Sequence, residues 1–245
     1  MRVFFLIVVL LLAPSQSRQA DSSSAGETLQ YRVEWRLVRA GKVRLEWKTT
    51  NGEHQARLQV QSGGLVSMLY RVDDLYLAQI DESLCAVSSV LTAREGTRQR
   101  ETKITYDSAR RKASYLERDP KKDANLTALE IDIPACTHDV IAGLYSLRAM
   151  RLPVGKSTEI AMSDGKKSVV ARVEAQQQET VTTPAGRFRA IRYEAFLFNS
   201  VIYRRSGTLQ FWLTDDDRRL PVQVRVRLQF PIGAITLQLE KSEAR

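Results

Sequence analysis

Tyr31-Arg32-Val33-Glu34-Trp35-Arg36-Leu37 carries an apolar or aromatic side chain at every odd position and a charge at every even one. Successive side chains of a strand point to opposite faces, so a period of two reads as a strand with one dry and one wet face. After Arg39-Ala40-Gly41, read as a turn, Val43, Leu45 and Trp47 repeat the pattern against Arg44, Glu46 and Lys48. Asn51-Gly52 is a hairpin signal, and Ala56, Leu58 and Val60 continue the meander. Antiparallel sheets tolerate one wet face, whereas parallel sheets covered on both faces read as continuous apolar runs.

The same pattern extends outward in both directions. Strands are expected around 70–80, 85–93, 99–106, 112–116 and 126–133, then at 158–162, 169–175, 179–182, 188–198, 208–213, 222–230 and 235–239. Gly63-Gly64 followed by Leu65 to Leu69 reads as a short helical or irregular turn. At the C-terminal end Val222, Val224, Val226, Leu228 and Phe230 face one way, and after Pro231-Ile232-Gly233 so do Ile235, Leu237 and Leu239. More than a dozen strands exceed what an open twisted sheet carries, so the sheet is expected to curl. The fold class is therefore mainly β, a large antiparallel sheet in a barrel-like or two-layer form.

One segment breaks the period. Val140, Ile141, Leu144, Leu147 and Met150 recur at helical spacing, which predicts a short helix around residues 138–150. Thr137 or Asp139 can cap its start, and Pro153 and Gly155 end it. So short a helix is marginal alone in water and must dock on a mouth or face of the sheet.

Residues 1–20 read as a secretory signal: Arg2, an apolar run from Val3 to Ala13, then Pro14 and the small Ser15 and Ser17. The run is shorter than the ~20 residues that span a bilayer. The polar stretch that follows, residues 21–26 with Ser22-Ser23-Ser24, is read as a disordered leader, and residues 27–243 as a single β-rich domain with no linker inside it. No stable membrane span is expected after the signal. The chain has two cysteines, Cys85 and Cys136. In an oxidising compartment they read most simply as one disulfide. Two inert thiols or a redox pair are the alternatives, although a Cys-x-x-Cys motif is absent.

The formal charge is +9, and the first twenty residues hold two arginines and no acids, which leaves +7. Arginines such as Arg225 and Arg227 alternate with valines, which places them on the wet face of strands rather than in a binding stripe. Clusters occur at Arg110-Arg111-Lys112 and Arg204-Arg205. Neither is interleaved with exposed aromatics, so nucleic acid is not an expected partner.

Thr137-His138-Asp139-Val140-Ile141-Ala142-Gly143-Leu144-Tyr145-Ser146-Leu147-Arg148, the Thr183-Pro184-Ala185-Gly186-Arg187-Phe188 turn, and Phe211-Trp212-Leu213-Thr214-Asp215-Asp216-Asp217-Arg218-Arg219-Leu220-Pro221-Val222 resemble the exported bacterial family called domain of unknown function 3108. Tyr31-Arg32-Val33-Glu34-Trp35 with Ala40-Gly41 extends the likeness over nearly the whole chain after the signal. The resemblance implies a periplasmic, soluble, β-rich protein of the cell envelope. It transfers no catalytic residue, ligand or partner.

The residue chemistry names no reaction. Asp215-Asp216-Asp217 and Asp73-Asp74 read as solvated turns, since consecutive carboxylates point in different directions and a calcium or magnesium site needs oxygens around the ion. His54 and His138 are the two histidines and belong to no zinc pattern. Without a Gly-x-Ser-x-Gly elbow, His138 beside Asp139 is the least implausible acid or base, against a plain reading as a polar residue of the helix start. Asn125-Leu126-Thr127 matches a glycosylation sequon, a pattern common by chance. No catalytic residue, cofactor or metal is expected. The favoured reading is a non-catalytic envelope module binding a lipid or other hydrophobic ligand, with Trp35, Trp47 and Phe211 as ligand-facing candidates. A protein-interaction or envelope-assembly factor is the alternative, and an unrecognised hydrolase the third class.

Overall fold

A computed structural model describes residues 25–36, 38–198, 206–229 and 233–244. The expected signal, residues 21–24 of the leader, Leu37, the Arg204-Arg205 pair, Phe230 and the Pro231-Ile232 part of the last turn lie outside the described residues.

Among the described residues fourteen strands and two helices follow one another: β1 (Ala25–Trp35), β2 (Val38–Thr50), β3 (Glu53–Ser62), α1 (Gly64–Leu69), β4 (Asp73–Ile80), β5 (Ala86–Glu95), β6 (Arg98–Asp107), β7 (Lys112–Asp119), β8 (Ala124–Asp132), α2 (Val140–Met150), β9 (Ser157–Ser163), β10 (Ser168–Thr183), β11 (Gly186–Ala195), β12 (Gly207–Thr214), β13 (Pro221–Leu228) and β14 (Gly233–Ala244). All belong to one antiparallel sheet of order β8-β7-β6-β5-β4-β3-β2-β1-β14-β13-β12-β11-β10-β9. Sequence neighbours pair except β8 and β9, and β1 also pairs with β14, so the two ends of the ladder are β8 and β9. The fold is the expected mainly β form, curled and barrel-like, with its hydrogen-bonded ladder left open between those two strands.

The alternation that reads as a strand sets the register. Leu29 lies opposite Leu45 and Tyr31 opposite Val43, all four buried in the sheet interior. Asn51 and Gly52, both at positive φ, make the two-residue hairpin from β2 to β3. Two local expectations differ. Arg39-Ala40-Gly41 is not a turn: the chain reverses between Trp35 and Val38, and Gly41 lies inside β2. A Cβ there would stand 2.1 Å from the Gln61 carbonyl oxygen, so the glycine permits a close approach of two strands. Residues 169–175 and 179–182 form one strand, β10, in which a bulge at Gln176 shifts the register and interrupts the alternation. The domain is also slightly longer than expected, since Ala25 and Gly26 of the leader open β1 and Ala244 ends β14.

Bends close the sheet on itself. The β10–β11 turn reaches back to β14, where the Ala185 amide donates to the Leu239 carbonyl at 3.0 Å. On the opposite side the β9–β10 turn packs on the inner face of β6 and β7, where a Cβ on Gly165 would come within 2.9 Å of Ile104 and Tyr115. Lys166 in that turn lies 4.5 Å from the Tyr115 ring and donates to Glu117 at 3.1 Å. Side chains thus close a gap that the backbone ladder leaves open.

Helix α2 occupies the interior. Its N-cap is Asp139, whose carboxylate accepts from the amides of Ile141 and Ala142, both at 2.8 Å. Ile141, Ala142, Gly143, Tyr145, Ser146 and Leu147 are buried, which is more than the stripe the sequence pattern marks, because sheet surrounds the helix instead of touching one side. Val140 and Met150 of the expected stripe stay exposed at its two ends. Ile141, Ala142 and Tyr145 join a core built from β1–β4 and β10–β14, while Leu147 joins that of β9–β12. Cys85 and Cys136 lie at disulfide distance with Cα atoms 5.1 Å apart. Beside them the Ala86 amide donates to the Thr137 carbonyl at 2.8 Å, so the approach to α2 is tied to the start of β5.

Candidate functional site

The curled sheet is hollow on either side of the start of α2. One chamber of about 210 Å³ lies between the helix and both halves of the sheet, lined by apolar side chains that include Leu45, Leu144, Leu147, Phe211, Val224 and Leu237. The period of two explains this lining, since Leu45, Phe211, Val224 and Leu237 are the inward residues of their strands. Phe211 sits between Tyr193 and Val224 across the ladder and stacks on Tyr193 at 5.3 Å.

A second chamber of about 380 Å³ adjoins the first and shares Leu58, Val140, Met162 and Leu197 with it. Its character is different. The inward positions of β4, β5 and β6 supply Tyr76, Ser89 and Tyr106, α2 supplies Asp139 at its cap, and Asp74, Asp164 and Lys166 complete the charged lining. Ser89 is held inward by its register, opposite Ala78 on one side and Ile104 on the other. Asp139 is 2 % exposed and Ser89 1 % exposed. Asp139 Oδ1 takes both helix amides, whereas Asp139 Oδ2 and the Ser89 hydroxyl make no hydrogen bond of ordinary length among the described residues, their polar neighbours being the Tyr76 hydroxyl for the carboxylate and the Tyr76 and Tyr106 hydroxyls for the serine. Tyr106 donates to the Ser163 carbonyl at 3.3 Å.

Burial sets the ionisation here. It pushes the Asp139 carboxyl above the usual carboxylate range, opposed chiefly by the Ala142 amide, the Tyr76 hydroxyl and the Ile141 amide. Burial likewise holds the Tyr76 and Tyr106 hydroxyls in their neutral form, with the charge of Asp139 adding to the effect.

A third, shallower depression of about 770 Å³ lies around the outer end of α2, where Glu27, Trp47, His54, Tyr145 and Arg148 meet Arg218 and Arg219. Tyr145 donates to Glu27, and the Arg148 guanidinium binds both oxygens of the same carboxylate. Trp47 stacks on Tyr145 and on His54, with ring centroids 4.9 Å apart in the second pair.

The ligand-facing candidates therefore separate. Phe211 lines the apolar chamber. Trp47 faces inward too, but its ring is spent on Tyr145 and borders the outer depression. Trp35 is half-buried at the end of β1, opposite Val38 and Ile235, away from both chambers. Sequence reasoning marked Asp139 only as a cap and did not mark Ser89, Tyr76 or Tyr106. No local signal could have found them, since the register that turns Ser89 inward is set by Ala78 and Ile104 on partner strands.

The other chemical candidates are dispersed. His138 is not in the helix but bridges to Met162 of β9, with its Nδ1 3.1 Å from the Ala161 carbonyl oxygen. Asp215 pairs with Arg189 at 2.9 Å, Asp216 accepts from Thr214 at 2.6 Å, and Asp217 pairs with Arg151 at 2.9 Å, so the three carboxylates diverge. Asp73 accepts from Gln61, and Asp74 from the Arg94 amide. Among the described residues no three metal-ligating side chains converge, and no helix is long and apolar enough to cross a membrane.

The model of a protein family of unknown function, DUF3108, matches residues 30–240. The curated proteins provide no match. Among solved structures the chain resembles a β-barrel-like protein of the domain of unknown function DUF1849 from Brucella abortus, at 10 % identity and a TM-score of 0.60, covering 90 % of this chain and 98 % of that one. A DUF1089 family protein from Pseudomonas aeruginosa aligns at 15 % identity over 90 % of this chain and 95 % of that one, with a TM-score of 0.38. The first likeness concerns the fold.

Proposed function

The chain belongs to the protein family of unknown function DUF3108, and from that membership, which brings no activity with it, we propose that it is an exported, non-catalytic protein of the bacterial envelope that holds a lipid or other hydrophobic molecule inside its sheet. The observation that carries this reading is the apolar chamber between α2 and the sheet. A closed core would have filled it, since protein interiors are packed to the density of organic crystals. With the polar chamber beside it, the interior falls within the roughly 300–1,000 Å³ of small-molecule sites, which are mostly apolar with a few placed polar groups. Export to the periplasm is supported by the signal pattern of residues 1–20 and by the cysteine pair, which an oxidising compartment would keep joined.

Lipid extraction and mass spectrometry of protein purified from its native envelope tests the proposal. A co-purifying hydrophobic molecule is expected. Protein that comes out empty and binds no hydrophobic dye in solution overturns it.

A second reading, an interaction or assembly factor, draws on α1. Leu65, Met68 and Leu69 are 70 %, 82 % and 82 % exposed, with Tyr70 beside them and exposed Arg71 next in the chain. So apolar a surface on a six-residue helix suits contact with another envelope protein. Cross-linking in cells should capture a discrete partner that a Met68→Ser, Leu69→Ser variant loses.

A further inference from the structure

Two buried polar atoms face a cavity without a hydrogen bond of ordinary length, the Tyr76 and Tyr106 hydroxyls being their polar neighbours, and a hydrophobic ligand alone would leave them that way. An unsatisfied buried hydroxyl or carboxylate oxygen is expensive, and native proteins keep few of them. Asp139 Oδ2 and Ser89 Oγ are such atoms. They line the same chamber as the Tyr76 and Tyr106 hydroxyls, next to an apolar chamber. Polar group and apolar space are thus arranged as head and tail sites.

We propose that the polar chamber binds the head group of a single-chain amphiphile that donates hydrogen bonds, a hydroxyl or an ammonium, to Asp139 Oδ2 and Ser89 Oγ, while its chain fills the apolar chamber. This rests on the reading of the protein as a binder of hydrophobic molecules and specifies the ligand class. The charge of the chamber selects the head. Asp74, Asp139 and Asp164 line it against Lys166, the one cation among its described lining residues, which is engaged with Glu117. An anionic carboxylate or phosphate head would therefore meet like charge in a medium that screens it poorly. A donor head instead satisfies the acceptor that Asp139 presents, and charge-assisted hydrogen bonds are the stronger kind.

The test compares binding of monodecanoylglycerol, decylamine and decanoate to the full mature chain by displacement of Nile red, each below its micelle concentration. The glycerol ester and the amine are expected to bind at least about ten-fold more tightly than decanoate, the difference one good charge-assisted hydrogen bond supports. Two variants locate the effect. Asp139→Asn keeps a capping side chain, and Ser89→Ala removes a hydroxyl that makes no hydrogen bond of ordinary length. Each should reduce that preference by about ten-fold, with every affinity referred to that variant's own Nile red affinity. Equal binding of decanoate and the glycerol ester, or variants that keep the full preference, overturns the head-group proposal. In that case retained Nile red binding leaves the hydrophobic-carrier reading standing. If the dye and all three amphiphiles fail to bind, both readings fall.

Discussion

The ring of Tyr145 lies flat against that of Trp47, with centroids 3.6 Å apart and planes 8° from parallel. This contact joins the interior helix to β2. Large aromatic side chains dominate core energetics, and a buried aromatic replaced by alanine costs about 3–5 kcal/mol. Tyr145→Ala should therefore lower unfolding free energy in urea by that amount, whereas Tyr145→Phe keeps the stack and loses only the bond to Glu27. If the two variants prove equally stable, the stack is not what holds the helix.

Glu27 and Arg148 form a largely buried pair, with Tyr145 as a third member. Removing one partner strands the other charge, at a cost of about 3–5 kcal/mol. Glu27→Gln and Arg148→Met should each destabilise strongly, and the double variant should recover much of the loss. Additive losses in a double-mutant cycle would show that the two charges act independently.

Joining Cys85 to Cys136 closes a sequence separation of 51 residues. In the chain-entropy model such a loop is worth about 4 kcal/mol. Replacing both cysteines with alanine should lower Tm, and a reducing agent should lower the Tm of the native chain to match. A Tm indifferent to reduction would mean that the pair is not joined in the purified protein.

The buried carboxyl of Asp139 has a pH signature. Burial raises its pKa in the folded chain, while the unfolded chain titrates near the ordinary ~3.9. Between those two values the folded state holds more protons, so this group adds stability as pH falls and removes it as pH rises through the folded-state value. Relative to Asp139→Asn, the native chain should lose stability from pH 4 to pH 7. Urea titrations at pH 4, 5 and 7 that give a constant difference would contradict this.

Filling the apolar chamber should separate binding from folding. Ala195 is buried on its wall. Ala195→Leu places new methyl groups in that space, with a stability change within the roughly 1–3 kcal/mol of overpacking, and should sharply weaken Nile red binding. Unchanged dye affinity would place the ligand elsewhere.

Much of this architecture was legible because local residues determine it. The alternation through Tyr31, Val43 and Leu45, the Asn51-Gly52 hairpin and the Asp139 cap each depend on a few neighbours in sequence. Gly41 misled because a glycine that permits a turn and one that permits close strand contact look alike until the facing Gln61 carbonyl is known. The break at Gln176 likewise looks like a loop unless the partner strand shows a bulge. Ser89 stayed hidden for a related reason. In Val87-Ser88-Ser89-Val90 no local pattern says which serine points inward, and that is decided by Ala78 and Ile104 on two other strands. The chamber is a property of long-range register, as are its orphaned polar atoms.

The pairing of β1 with β14 sets the order in which this molecule is completed. Tyr31 donates to the carbonyl of Pro221, 190 residues further along, and its ladder partner Leu239 comes later still. Such distant contacts carry a loop-closure cost before they return any stabilisation, which slows folding. Until β14 arrives, β1 has β2 on one side and an unpaired backbone edge on the other, an edge open to aggregation. A chain truncated before β14 would thus have a sticky seam through the middle of its sheet.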